Sequence, residues 1–346
     1  MQANETVAGP VTYPSNAHDL DLCLQTMVRG FREIIAQCPS APVAISFAFP
    51  GPADYPNGII GGYLPNFPSF RDGVALGPFL EMTFGLPVFI NNDGDLFAYG
   101  EALGGMLPEV NERLRAAGSS KQYRNLIGYT FGTGFGVFVV VDSVINTGDN
   151  SCVETFCLPH RDLPGVIVEE GVSVRAVKRV YGELTGNPDH GLEPKDICDI
   201  ADGRREGDAE AARSAFAAMG RVAGSAMAAA ASLVDGVIVI GGGITAARKY
   251  IMPALLDELR GKLRTLSGEE VARVQPAVYD LDDEAEFARF ARGQVRPLQV
   301  YGSDRFVPYD PHKRIGVAIS KLGASRAIAI GAYAFALSSL DRQTEE

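Results

Sequence analysis

No Cys-x-x-Cys pair occurs in the 346 residues, and the five cysteines (Cys23, Cys38, Cys152, Cys157, Cys198) form an odd, scattered set. That excludes a disulfide framework and a cysteine zinc cluster, and it fits a reducing, cytoplasmic setting. Long apolar runs are also missing. The longest, such as residues 226–234, are too short to span a bilayer, so no membrane partner is expected. The first ten residues carry no basic region followed by an apolar run, so no secretory signal is expected. Positive charge is in short supply. Lys and Arg number 31 against 42 Asp and Glu, a net charge of -11, which argues against a nucleic-acid surface. No basic helix-turn-helix segment precedes the fold.

What is present is ordinary for a globular protein: 46% hydrophobic and 21% charged residues, in a chain long enough for two sizeable cores. An apolar stripe at helical spacing (Leu20, Leu24, Met27, Val28, Phe31, Ile35) predicts a helix over about 17–36. Residues 43–49 read as a buried strand closed by Pro50-Gly51-Pro52, with loops up to Arg71. A helix at 76–84, a strand at 88–90 and a helix at 95–103 follow. Residues 104–124 read as a polar surface excursion. Strands at 126–131 and 137–141 flank a glycine-rich turn, and Asp142-Ser143 suits a hairpin. Helices are expected at 172–184, 210–234 and 246–265, a strand at 237–240 and a closing helix at 324–340; residues 267–314 look like an irregular insertion. Strands alternating with helices make the class α/β.

Three segments are dense in chemistry. In Ile90-Asn91-Asn92-Asp93-Gly94-Asp95, polar groups crowd the end of an apolar strand. One reading is a helix cap, since Asn and Asp accept hydrogen bonds from a first turn. The other is a carboxylate at the C-terminal edge of a sheet, where open α/β sheets bind ligands. In Thr130-Phe-Gly-Thr-Gly-Phe-Gly136, glycines let backbone approach a phosphate while amides and threonine hydroxyls donate to it; a strained hairpin turn explains the same residues. In Val237-Ile-Val-Ile-Gly-Gly-Gly-Ile-Thr245, a buried strand enters a triple glycine and then a helix. That is a place for a nucleotide against backbone, or simply a tight turn.

In this order, and with Phe49-Pro-Gly-Pro52, Gly58-Ile59, Leu64-Pro-Asn-Phe67, Gly85-Leu-Pro-Val-Phe-Ile-Asn-Asn-Asp93 and Gly100-Glu101, the chain resembles the ROK family of sugar kinases and repressors from about Pro10 to Leu337. The resemblance implies a two-lobed actin-like ATPase (ribonuclease H-like) fold with a cleft between lobes. Residues 1–124 and 323–346 would form a small sugar-binding lobe. Residues 125–322 would form a large nucleotide lobe carrying the 267–314 insertion. It implies ATP-dependent phosphorylation of a hexose or amino-sugar hydroxyl, with Mg²⁺ accompanying ATP. Asp93 matches the catalytic aspartate, which takes the proton of the attacking hydroxyl. Asn92 and Glu154 match sugar ligands, as does Glu169, with Glu170 the alternative register. Gly132, Thr133 and Gly134 would face the β- and γ-phosphates, and Gly242 and Gly243 the adenosine. A homodimer is suggested in the same way.

The chain departs from the family pattern in four places. No Asp-x-Gly-Gly-Thr phosphate hairpin is found, which would leave an apolar sheet edge open and favours a second reading, a sugar-binding regulator or pseudokinase. Val137 and Phe138 stand where glycine is usual. Cys157 replaces a sugar-contacting histidine; it is expected as an inert buried thiol, with His160, three residues on, able to supply the contact. The family's cysteine zinc motif is missing from 157–168, so no structural metal is expected. The closing helix carries small residues around Gly331, which fits either a hinge between lobes or plain close packing.

Overall fold

A computed structural model describes residues 6–51 and 53–345; Pro52, part of the proline-glycine stretch singled out above, and the extreme N-terminus lie outside the described residues. The chain forms two compact units, Met1–Gly104 with Ser325–Glu346, and Gly105–Ala324.

In the first unit, helix α1 (Leu20–Gln37) starts at Asp19, whose carboxylate accepts the Leu22 N–H at 3.0 Å. Its stripe of Leu20, Leu24, Met27, Val28 and Phe31 packs on a core of Phe49, Ile60, Leu64, Phe70, Leu76, Leu80 and Ile90. Strand β1 (Ile45–Ala48) is followed by three two-residue strands, β2 (Ala53–Asp54), β3 (Ile59–Ile60) and β4 (Val74–Ala75), which form a small antiparallel sheet where loops were expected. Helix α2 (Leu76–Phe84) stops at Gly85, which takes the left-handed conformation (φ 66°) that glycine adopts at little cost. Strand β5 (Val88–Asn91) pairs parallel with β1, setting Ala48 opposite Asn91. Among the described residues β1 has no second strand partner. Beside it lies an apolar hollow of about 360 Å³, lined in part by Met27, Phe31, Phe47, Phe49 and Phe67. Helix α3 (Asp93–Gly104) begins two residues earlier than its pattern suggests.

The second unit opens with α4 (Met106–Ala116), which buries Met106, Leu107, Val110 and Leu114; residues 105–124 therefore belong to this unit and are not a surface excursion. Strands β6 (Leu126–Phe131), β7 (Phe135–Val141) and β8 (Val144–Asn146) run antiparallel. Asp142 and Ser143, both at positive φ, close the β7–β8 turn as their composition predicts. Helices α5 (Val174–Thr185), α6 (Pro194–Ala201) and α7 (Ala209–Leu233) precede β9 (Val237–Gly241) and α8 (Arg248–Leu259). By length and composition α7 could cross a membrane, because alanine extends the apolar character beyond 226–234. Most of that window is buried within the protein, as a core helix would be.

The remaining elements are β10 (Lys262–Arg264), β11 (Glu270–Ala272), β12 (Ala277–Asp280), α9 (Glu284–Arg292), β13 (Arg296–Gln299), β14 (Phe306–Tyr309) and β15 (Arg314–Ile319). They correct the view of 267–314 as an insertion. The main sheet has the order β12-β15-β9-β6-β7-β8, its first four strands parallel. Only the two hairpins, β10–β11 and β13–β14, stand apart from it. Helix α10 (Ala324–Glu345) returns to the first unit. It meets α3 backbone to backbone: a Cβ on Gly331 would sit 1.9 Å from the Leu96 carbonyl oxygen, and one on Gly100 1.9 Å from that of Ala327.

Candidate functional site

In the first unit the polar segment is organised around the start of α3. Asn91, buried at the end of β5, accepts the Asn92 N–H at 2.8 Å. Asn92 accepts the Gly94 N–H at 2.8 Å, and its amide donates to the Tyr55 hydroxyl at 3.3 Å. Tyr55 in turn donates to the Phe49 carbonyl at 2.9 Å. Asn92 thus performs the capping, and Asp93, in the first helical turn, keeps an exposed carboxylate that, among the described residues, accepts from the neighbouring Gly94 N–H at 3.0 Å. The cap reading of this segment thus falls to Asn92, and the Asp93 carboxylate stands beside the cap.

Asp95 is half-buried, and its pKa is pushed up to about 7, first by desolvation and then by the charge of Asp93. An unfolded aspartate titrates near 3.9, so the folded chain binds this proton more tightly. The stability this contributes is complete below about pH 4 and is lost as pH rises through about 7. Asp95→Asn is therefore expected to raise the melting temperature more at pH 8 than at pH 5. Equal shifts at the two pH values would count against a raised pKa.

In the second unit, β6 and β7 are joined by Gly132, Thr133 and Gly134, a tighter turn than expected because β7 begins at Phe135. The turn is anchored from one side. Val174, the first residue of α5, donates its N–H to the Gly132 carbonyl at 2.9 Å, and Glu169 Oε2 accepts the Phe135 N–H at 3.1 Å. A Cβ on Gly134 would lie 2.7 Å from that carboxylate oxygen, so a larger residue there would push the Glu169 carboxylate off the turn. A Cβ on Gly132 would meet nothing within 4 Å, and the Thr133 side chain is exposed. The triple glycine sits beside this turn: Thr130 is paired with Gly241, and Gly242 (φ 97°) would place a Cβ 2.2 Å from the Phe131 carbonyl oxygen. Gly243 has open space around it. Together these leave a stretch of bare backbone at the C-terminal ends of parallel strands β9 and β6, suited to phosphate and nucleotide.

Glu154 is exposed in an irregular stretch that leads into a backbone pairing: Val168 N–H donates to the Leu158 carbonyl at 2.7 Å and Glu169 N–H to that of Phe156 at 3.3 Å. The stretches carrying the two expected sugar glutamates are thereby tied together. Glu169 and Glu170 both pair with Arg175 at 2.8 Å, a residue that sequence reasoning passed over. A signal was present, because Ser173 caps α5 and puts Arg175 within the first turn, next to both glutamates.

His160 is buried. Its Nδ1 accepts the N–H groups of Asp162 and Leu163, at 3.1 and 3.2 Å, which puts the ring proton on Nε2, against Gly171. Desolvation holds its pKa below the ordinary value. Cys157, in contrast, is exposed, the reverse of the buried thiol expected, because its neighbours Thr155 and His160 take the interior positions. Phe138 folds its ring over Gly136, within 2.7 Å of where a Cβ would be.

The ROK family model matches residues 3–156. The glucokinase from Parabacteroides distasonis is 55% identical, with a TM-score of 0.88 over 98% of this chain and 93% of that one. A ROK family glucokinase from Streptomyces griseus, solved with glucose and AMPPNP, is 18% identical and has a TM-score of 0.58 over 95% of this chain and 91% of that one, a likeness of fold. The xylose repressor of Bacillus spizizenii is 28% identical over 122 residues, 35% of this chain; the match spans 27% of the repressor's own length.

Proposed function

The chain belongs to the ROK family, whose sugar kinases have the actin-like ATPase fold, and from that premise we propose that it transfers the γ-phosphoryl group of ATP to a hydroxyl of a hexose or amino sugar. The observation that carries this reading is the division of labour at the start of α3. Asn92 satisfies the helix and leaves the Asp93 carboxylate exposed, one residue beyond a cap held by Tyr55. The 55% identity to a protein described as a glucokinase supports the same chemistry.

In the mechanism we propose, Asp93 accepts the proton of the attacking sugar hydroxyl, which raises its nucleophilicity at the moment of transfer. Asn92 and Glu154 orient the sugar by hydrogen bonds to its hydroxyls, as does Glu169 through lone pairs left by its two protein partners. His160 braces the 160–171 loop that carries Glu169. The amides of 132–134, with the Thr133 hydroxyl, donate to the β- and γ-phosphates, while Gly242 and Gly243 let backbone lie beside the adenosine. The bare backbone at Gly132 and Gly243 fits such a group, since no side chain fills the space. Bound Mg²⁺·ATP supplies the phosphoryl group and neutralises its developing charge.

A coupled assay of ADP release with glucose, mannose, fructose and N-acetylglucosamine as acceptors tests the proposal; turnover dependent on one of them is expected. Glu154→Ala should weaken binding of that sugar about 10- to 100-fold, the worth of a charged hydrogen bond, as read by calorimetry. Binding unchanged by this substitution would remove Glu154 from the site.

The similarity to a xylose repressor favours a second reading, a sugar-binding regulator. It predicts sugar binding without ADP release.

A further inference from the structure

Arg175 connects two parts of the site that the reading above treats separately. Its Nη2 lies 2.8 Å from Glu169 Oε1 and 2.8 Å from Glu170 Oε1, its Nε 3.0 Å from the latter, and its Nη1 3.5 Å from the Thr133 carbonyl oxygen. The other oxygen of Glu169 holds the Phe135 N–H at the exit of the glycine turn. One carboxylate therefore has one oxygen on the turn's backbone and the other on a guanidinium that also reaches the turn. A carboxylate so close to a turn that receives a triphosphate would repel it unless its charge were offset. Arg175 is the second residue of α5, and Val174 before it is bonded to Gly132, so the fork is fixed to the same frame as the turn.

We propose that Arg175 is a positioning residue that couples the sugar carboxylate to the phosphate turn. It holds Glu169 where it accepts from Phe135, and it offsets the charge of Glu169 and Glu170 beside the turn. This rests on Glu169 binding sugar and on 132–134 binding phosphate. When sugar engages Glu169 in this position, the turn is already set for the nucleotide, so each ligand tightens the other.

Calorimetry of wild type and Arg175→Ala, with glucose and Mg²⁺·AMPPNP each titrated alone and with the other present, reads the coupling. In wild type, glucose should tighten AMPPNP by about fivefold or more, within the usual range for linked sites. In Arg175→Ala that factor should fall to about one, and AMPPNP alone should bind about tenfold more weakly. Arg175→Lys restores the charge without the planar fork, so it should recover affinity for AMPPNP but not the coupling. A wild type without coupling, or an Arg175→Ala protein that keeps it, overturns the proposal. Amide hydrogen exchange at Phe135 supplies a readout that needs no ligand: exchange at least about tenfold faster in Arg175→Ala, with an unchanged melting temperature, is expected. If wild type binds neither ligand, the kinase reading falls by itself, and unchanged exchange at Phe135 would still reject the positioning role.

Discussion

Asp93→Asn is expected to lower kcat for sugar phosphorylation by about 10³-fold, the middle of the range for losing a general base, while leaving the affinity for sugar within about threefold. The substitution is isosteric, and the side chain it changes is exposed. Its hydrogen bond from the Gly94 N–H can be accepted by an amide oxygen as well as by a carboxylate. Asn92 continues to cap the helix, and Tyr55 continues to hold Asn92. Folding should therefore be little affected at pH 5, where Asp95 is protonated and does not feel the Asp93 charge, and a melting curve there that coincides with wild type is the control. A fall in kcat without a change in KM locates the loss in the transition state and not in binding. Activity that survives in Asp93→Asn would defeat the assignment of the base. A wild type that binds sugar, with Asp93→Asn binding it equally and neither releasing ADP, would instead favour the regulator. The partner substitution Asn92→Ala should behave differently. It removes the cap and the link to Tyr55 together, so it should lower stability by about 1 kcal/mol as well as weaken sugar binding.

The parts of this fold that were legible in the sequence are those where local pattern and tertiary role coincide. Helix α2 could be bounded to the residue because Gly85 supplies its left-handed stop, and α7 to within one residue at each end because alanine-rich periodicity runs without interruption to Leu233. The three polar or glycine-rich segments could be found because polar groups at the ends of apolar strands are conspicuous. Short strands were not legible. Residues 277–280 offer one buried side chain, Val278, between Pro276 and the acidic stretch after Asp280; only pairing with β15 makes them a strand of the main sheet. The unit to which α4 belongs was hidden for the same reason, since Leu107, Val110 and Leu114 look like any amphipathic stripe until their partners are known. The start of α3 was misplaced because Asn92, Asp93 and Asp95 are all competent caps, and the choice among them is made by Tyr55, 37 residues away. For Arg175 the cap at Ser173 places the residue near both glutamates, but that it pairs with them follows only from the return of 167–173 on α5.

Close approach of α3 and α10 sets the largest expected effect on stability. The Cβ of an alanine at position 331 would fall 1.9 Å from the Leu96 carbonyl oxygen, and that of one at position 100 would fall 1.9 Å from the Ala327 carbonyl oxygen. A carbon–oxygen contact needs about 3.3 Å, so the helices must separate by roughly 1.4 Å at the crossing. Neither obstacle is a side-chain tip that can rotate away; both are backbone groups within helices. Separation also loosens what flanks the crossing, including Leu96, Phe97 and Ala327, all fully buried. Overpacking of this kind costs about 3 kcal/mol, and Gly331→Ala is expected to lower the melting temperature by roughly 10 °C for a unit of this size. Gly100→Ala should do the same. The double substitution should cost less than the sum of the two, because one displacement of α10 relieves both clashes. Gly243→Ala is the control: its Cβ would meet nothing within 4 Å, so thermal stability should stay near wild type. A Gly331→Ala protein that melts with the Gly243→Ala control would show that α3 and α10 do not touch along their backbones.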